Sequence, residues 1–283
     1  MTILCVGRAT FDLGYACPSF PHEDRKISAT HFWAGAGGSA LNGAVTARAL
    51  GSDVRLFTLL GTGSFADSVR AELKGFDVPA LDFAAPGAQV LPVSSIIVVP
   101  EGGTRTIIDQ KPEQVPVCDL PDTSCLDDVS VLYCDGFLPV IAVPLAAAAR
   151  QREIPVVLDG GSWKPWTGSL IAHADHAVVS ERFHPPGHDD VNIIDAVHAL
   201  GPLVAAITRG PGPIAWSDGV RRGEITPPQV DAIDTLGAGD IFHGAYCHFL
   251  AKGNRVPDVL AHAADVAAHS CRYHGTRDWI GAR

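Results

Sequence analysis

Asp234-Thr-Leu-Gly-Ala-Gly-Asp240, continuing directly into Ile241-Phe-His-Gly-Ala-Tyr-Cys-His-Phe-Leu-Ala-Lys252, joins a glycine-bearing loop to an apolar helix. Gly237 and Gly239 bracket Ala238 at the join. There the backbone is free to approach a ligand closely, and the first N–H groups of the helix have no acceptor within it. Those donors, together with the positive end of the helix dipole, favour a phosphate. Asp240 does not suit phosphate binding, because a carboxylate beside a phosphate repels it. A carboxylate in this first turn suits a different task. A hydroxyl attacking phosphorus must lose its proton, and Asp240 is placed to take it while the N–H groups hold the moving phosphoryl. An Asp serving only to stabilise its own helix would leave both glycines without a reason.

Outward from this segment, short β-like apolar runs alternate with helical patterns. Residues 3–6, 54–60, 131–133, 156–158, 177–179 and 203–208 read as buried strands. Residues 39–50, 65–74, 140–152, 192–200, 240–252 and 256–273 read as helices. The alternation predicts an α/β fold, a mostly parallel sheet with helices on both faces. Residues 15–33 and 89–108 break the pattern with β-branched runs and turn signals such as Glu101-Gly-Gly103, and predict hairpin strands standing off the main sheet. No repeat, low-complexity tract or long linker divides the chain, so residues 1–283 read as one domain.

Composition narrows the classes. At 283 residues and 47% hydrophobic content the chain can bury a large core. A formal charge of −10 disfavours nucleic acid or an anionic membrane surface as a partner. No apolar run approaches a membrane span, and Met1-Thr-Ile-Leu-Cys-Val-Gly7 looks like a first strand rather than a signal peptide. Seven scattered cysteines without a C-x-x-C suit reduced thiols in a cytoplasm, with no disulfide expected. His173-Ala-Asp-His176 and His184-Pro-Pro-Gly-His188 lack a nearby third ligand and read as surface or packing residues, so no protein metal site is expected.

Two other glycine-rich segments imitate a dinucleotide fingerprint. Gly35-Ala-Gly-Gly-Ser-Ala40 and Gly61-Thr-Gly-Ser-Phe-Ala66 both fit G-x-G-x-x-A. A dinucleotide site also needs an acidic residue closing the next strand, about 20 residues on. After Gly35 that strand ends in Leu-Leu-Gly, and Asp53 lies at its wrong end.

The Asp234–Asp240 string resembles the D-T-x-G-A-G-D signature of the PfkB/ribokinase family of carbohydrate and nucleoside kinases. The resemblance implies a ribokinase-like fold with a small β lid, here from about residues 13–34 and 89–109. It implies Asp240 as catalytic base, with Gly237, Ala238 and Gly239 forming the anion hole. Gly37-Gly-Ser-Ala-Leu-Asn42, opening an Ala-rich helix, is similar to the family's other signature, which implies that Gly37, Gly38 and Asn42 contact sugar hydroxyls. An alternative for this segment is helix packing through small residues plus a cap, which would leave Asn42 unexplained.

By the same resemblance, Asp12 accepts hydrogen bonds from two acceptor hydroxyls, although an isolated Asp after a strand is usually a turn former. Arg105, in Gly102-Gly-Thr-Arg-Thr-Ile107, falls where ketohexokinase-like members carry an Arg that reaches the sugar or the transferring phosphate; a solvated hairpin charge is the alternative. Thr208-Arg-Gly-Pro-Gly212 resembles the loop that approaches ATP, which marks Thr208, Gly210 and Gly212, or it is only a Pro/Gly turn. Thr235, Ala267 and Cys271 are further nucleotide candidates, although small residues on a helix also allow close packing. ATP and Mg²⁺ follow as expected cofactors, a sugar as acceptor, and a homodimer through the lid edges as an expected assembly.

The similarity spans almost the whole chain and is nearest the ketohexokinase and sulfofructose kinase branches. A sulfonate would need an extra cation, for which Arg8, Arg25 and Lys111 are the candidates. One departure concerns metal use: where many members carry N-x-x-E, this chain has Ser180-Glu-Arg-Phe183. A nucleoside kinase, or a sensor that binds without catalysis, would share most of these motifs.

Overall fold

The structure is a computed structural model that describes residues 1–99, 101, 104–109, 117–187 and 192–282. In chain order the strands are β1 (Thr2–Val6), β2 (Thr10–Ala16), β3 (His31–Gly37), β4 (Asp53–Thr58), β5 (Ala80–Asp82), β6 (Val93–Val99), β7 (Thr104–Asp109), β8 (Val129–Cys134), β9 (Val156–Gly160), β10 (His176–Ser180), β11 (Val204–Arg209), β12 (Gly212–Ser217) and β13 (Arg222–Ile225). The helices are α1 (Ser39–Ala49), α2 (Ser64–Gly75), α3 (Pro139–Gln151), α4 (Thr167–Ile171), α5 (Ile193–Ala199), α6 (Ala238–Ala251) and α7 (Val256–Ser270).

Nine strands form the main sheet in the order β13-β12-β11-β10-β9-β8-β1-β4-β5. Seven run parallel, while β12 and β13 turn back antiparallel at one edge. The central strands are apolar on both faces because both faces are covered. One core lies under α1, α2, α6 and α7 and holds Ile3, Cys5, Val131, Tyr133 and Val157; the other lies under α3, α4 and α5 and holds Leu4, Val6, Leu132, Cys134 and Leu158. The six segments read as buried strands fall on β1, β4, β8, β9, β10 and β11. Among the described residues no helix is long and apolar enough to cross a membrane.

The residues that break the alternation form a separate four-stranded sheet, β3-β2-β6-β7. β2 pairs antiparallel with β3 and parallel with β6, and β6 pairs antiparallel with β7. Gly102 and Gly103, read as the turn between β6 and β7, lie outside the described residues, as do Lys111 and His188. The strands extend beyond the expected lid boundaries, from Thr10 to Gly37 in the first pair. Asp12 is therefore inside β2 and opposite Gly35, not in a turn after the first strand.

Strands β8 and β1 mark where the sheet changes its direction of growth, since β1 passes outward to β4 and β8 passes the other way to β9. The carboxyl ends of two such strands diverge and leave a crevice for ligands. Asp135, just past β8, ties this point together. Its Oδ2 accepts from Arg8 N (2.7 Å) and Ala40 N (3.0 Å), and its Oδ1 accepts from Phe137 N (2.9 Å). One buried carboxylate thus joins the exit of β1, the start of α1 and the exit of β8. Burial raises its pKa to about 6, against the lowering effect of those N–H groups.

Candidate active site

Asp240 lies in the first turn of α6, as its sequence context predicts, with Gly237 capping the helix in a left-handed conformation (φ 66°). A Cβ at Gly237 would sit 2.5 Å from Thr276 Cγ2, so glycine is required by space as well as by conformation. The Ala238 N–H donates to Thr235 O at 3.3 Å, whereas the Gly239 and Asp240 N–H groups belong to the first turn, which provides them no acceptor inside the helix.

Asn42 meets Asp240 across two helices. Its Nδ2 donates to Asp240 Oδ2 at 2.7 Å. The contact is possible because α1 and α6 cross at Gly43 and Gly244, where a Cβ on Gly244 would overlap the Gly43 carbonyl oxygen and come within 2.8 Å of Thr46 Cβ. A Cβ on Gly43 would in turn stand 2.8 Å from the Tyr133 ring. Small residues at this crossing therefore serve both helix packing and the placement of Asn42.

Burial, reinforced by the nearby Asp159 carboxylate, raises the Asp240 pKa to about 7, while the Asn42 hydrogen bond and His243 pull it down. Asp159, at the end of β9, accepts from Tyr133 OH at 3.2 Å and stands 3.5 Å from His243 Nδ1. The His243 ring is fixed between two carbonyls, with Nδ1 2.7 Å from Gly239 O and Nε2 3.1 Å from Val178 O. It links the glycine turn of α6 to β10.

Asp12 lies where β2 passes Gly37, and a Cβ at Gly37 would overlap its carboxylate. Thr10 Oγ1 donates to Asp12 Oδ1 at 2.7 Å. Burial raises the Asp12 pKa; hydrogen bonds from Thr10 and Ser94 and the charges of Arg277 and Arg8 oppose the rise. Gly38 (φ 98°) would place a Cβ 2.5 Å from Arg8 O, so the turn from β3 into α1 admits no side chain.

Arg105 reaches from β7 to the loop before α6, where its guanidinium donates to Thr235 Oγ1 (2.8 Å) and Thr235 O (3.2 Å). Arg8 is ion-paired with Asp109 of β7 and lies 5.1 Å from the Phe137 ring centroid. Arg25, another cation considered for a sulfonate, is exposed.

The nucleotide candidates are more dispersed. Gly210 (φ 56°) makes the tight turn between β11 and β12, so Thr208-Arg-Gly-Pro-Gly212 is a hairpin turn, with Thr208 Oγ1 donating to Val179 O at 3.4 Å. Cys271 O accepts from Ile233 N (2.8 Å) and Asp234 N (3.2 Å), tying the segment that leads to α6 to the end of α7, where Ala267 is half-buried. Among the described residues no hydrogen bond joins Thr208, Gly210 or Gly212 to the Asp240 cluster. Phe183, at the N-x-x-E position, is fully buried with its ring 5.5 Å from that of Trp163 and supplies no carboxylate.

The residues sequence reading missed are Arg277 and Glu72. Arg277 Nη1 donates to Asn42 Oδ1 (2.9 Å) and Thr276 Oγ1 (2.7 Å), Nη2 to Ala36 O (3.0 Å), and Nε to Glu72 Oε1 (2.9 Å). A lone Arg in a short terminal segment carries no local signal of this. Asp135 and Asp159 were more accessible to inference, since each lies at the carboxyl end of a central parallel strand.

The chain that places a buried carboxylate of pKa near 7 in the first turn of α6 is similar to known proteins along its length. Residues 2–280 match the family model described as pfkB family carbohydrate kinase. Ribokinase of Bacillus subtilis (strain 168) is 24% identical over 284 residues, 99% of this chain and 96% of its own length. Ketohexokinase of Mus musculus is 26% identical over 303 residues, covering 96% and 97%. A solved structure from Agrobacterium tumefaciens, described as that of a candidate ribokinase, superposes with a TM-score of 0.86 at 26% identity over 99% of this chain and 94% of that one. With the family model spanning nearly its whole length and the fold matching beside it, the chain belongs to the pfkB family of carbohydrate kinases.

Proposed function

We propose that the protein transfers the γ-phosphoryl group of ATP to a hydroxyl of a small sugar, a ketose such as fructose or a derivative of one. The observation that carries this reading is the Asn42–Asp240 pair at the start of α6, with the Asp240 pKa raised to about 7. A base is most effective when its pKa lies near the working pH. Asn42 engages Oδ2 of Asp240, leaving the other oxygen to accept the proton of the attacking hydroxyl. Asp12, Gly37, Gly38, Asn42 and Arg105 would orient the sugar, and the amides from Gly237 to Gly239 would receive the charge on the moving phosphoryl. Thr208, Gly210, Gly212, Thr235, Ala267 and Cys271 would line the nucleotide side.

Magnesium would neutralise phosphate charge when bound with ATP. With Phe183 in place of a carboxylate, the site suits an ion held mainly by phosphates and water. The small sheet would act as a lid over the acceptor, drawn to the body by Arg8–Asp109 and Arg105–Thr235, and would exclude water from the reaction. Its outer strands β3 and β7 carry exposed Phe32, Ile107 and Ile108, a surface on which a second copy could pair; a monomeric mass by light scattering would count against that dimer.

The test is ADP release with Mg-ATP across fructose, other ketoses, sulfofructose, ribose and nucleosides, with Asp240→Asn as the blank. One strong acceptor, absent in the blank, is the expected result. Preference for adenosine would make this a nucleoside kinase, and silence throughout would favour a binding role without turnover.

A further inference from the structure

We propose that Arg277 and Glu72 form a positioning pair that couples the hinge of the small sheet to Asp240 through Asn42. The proposal rests on the reading of Asp240 as the base. Glu72 on α2 accepts the Ala36 N–H at Oε2 (2.8 Å) and pairs with Arg277 through Oε1 (2.9 Å), while Arg277 donates to the Ala36 carbonyl (3.0 Å). The N–H and the C=O of Ala36 are thus both held by one ion pair. Ala36 lies in β3 one residue before Gly37 and Gly38, where the small sheet enters the body of the protein.

The same guanidinium sets the orientation of Asn42. An arginine only donates, so the Asn42 oxygen must face Arg277, and its NH₂ must then face Asp240. With the amide reversed, both contacts would fail. The order of groups is therefore Glu72, Arg277, Asn42, Asp240, running from α2 to α6 through the terminal segment. That segment is anchored beside Arg277 by Trp279, which is fully buried and donates from Nε1 to Thr276 O at 3.1 Å. The groups facing Arg277 are Glu72 of α2, Phe76 just past it, Asp12 of β2 and Asp240 of α6. Those facing Asp240 are Asn42 of α1, Asp159 of β9, Asp135 after β8 and His243 of its own helix.

The signs of two substitutions separate this device from a merely structural one. Arg277→Gln removes a positive charge from the neighbourhood of Asp240, so the titration midpoint of the Asp240 carboxyl should rise. Glu72→Gln removes the negative partner and leaves Arg277 less compensated, so the midpoint should fall. Arg277→Lys keeps the charge but not the planar fork that holds Glu72, Asn42 and Ala36 together, so the midpoint should rise less than in Arg277→Gln while kcat drops about ten- to a hundredfold from misplacement of the base.

The experiment is carbon-13 NMR of the Asp carboxyls in the full chain across pH, with the Asp240 signal assigned by its loss in Asp240→Asn, and with melting curves confirming that each variant is folded. This arm needs no sugar; kcat is then read with the acceptor found by the ADP-release panel. Opposite shifts in Arg277→Gln and Glu72→Gln support the pair, and unmoved midpoints in the folded variants overturn it. Should Arg277→Gln fail to fold, the Glu72→Gln shift and the Arg277→Lys split decide. Full turnover by Asp240→Asn would sink the base assignment instead, a different result from unmoved midpoints.

Discussion

At the residue scale the proposed chemistry turns on one carboxyl whose surroundings oppose its ionisation. As the proposed base, Asp240 would have to be ionised to accept a proton, and its pKa is raised to about 7 by burial and by Asp159. The expected kcat/KM profile therefore rises with pH through about 7 and is lost below it as the base becomes protonated. Because Asp159 and Asp135 interact with Asp240, the observed midpoint belongs to the group and not to one residue. Asp240→Asn should lower kcat by about 10²- to 10⁴-fold, the range typical for a lost general base, with ATP affinity by calorimetry nearly unchanged. Gly37→Ala should act differently. Its Cβ would enter the space of the Asp12 carboxylate, so KM for the sugar should rise while KM for ATP holds. Of these residues, Asp240, Asn42 and Gly37 were nominated because each stands in a short string whose spacing has a chemical reading, and Asp12 was nominated only through the family resemblance. Arg277 and Glu72 were not. A charged side chain is recognised as a positioning group only by its partners, and those are more than 200 residues apart between Glu72 and Arg277.

At the scale of elements, α1 and α6 are the decisive pair. Their crossing at Gly43 and Gly244 has no room for a methyl group, so Gly244→Ala should push the helices apart and cost about 1–3 kcal/mol of stability by urea denaturation. It should also lower kcat, since Asn42 and Asp240 reside on opposite sides of that crossing. The two losses together are the signature to look for; a stability loss with kcat intact would disconnect the crossing from the base. The parallel strands were legible because two-sided burial writes itself as an apolar run. β5 escaped, being three exposed residues at the sheet edge. β12 and β13 escaped because Pro211, Gly212 and Pro213 read as a loop, whereas Gly212 and Pro213 are the first two residues of an antiparallel strand. The small sheet was legible in kind but not in extent, since Thr10–Phe11 and Gly35–Gly37 look like parts of neighbouring elements until the pairing of β2 with β3 is seen.

At the scale of the molecule, the buried carboxyls set how stability responds to pH. Asp240 and Asp135 have pKa values raised to about 7 and about 6, above the ordinary value near 3.9 for an unfolded Asp. Between about pH 4 and 7 the native state therefore holds more protons than the unfolded chain, and stability falls as pH rises through that window. A melting temperature that declines from pH 5 to pH 8, with a flatter slope in Asp240→Asn, is the expected calorimetric outcome. Asp122, Asp128 and Asp218 are held below the usual carboxylate range by hydrogen bonds and arginine neighbours, so their contribution is lost only in stronger acid.

The clamp at Arg277 also has a consequence for biosynthesis. During translation, residues 12, 42, 72 and 240 leave the ribosome before residue 277 does. A nascent chain can already have drawn its central strands together, yet Asn42 then has no guanidinium to turn its amide and Glu72 no counter-charge. The setting of Asn42 therefore waits on the emergence of residue 277, and a product truncated before it would carry Asp12, Asn42 and Asp240 without the guanidinium that turns the Asn42 amide.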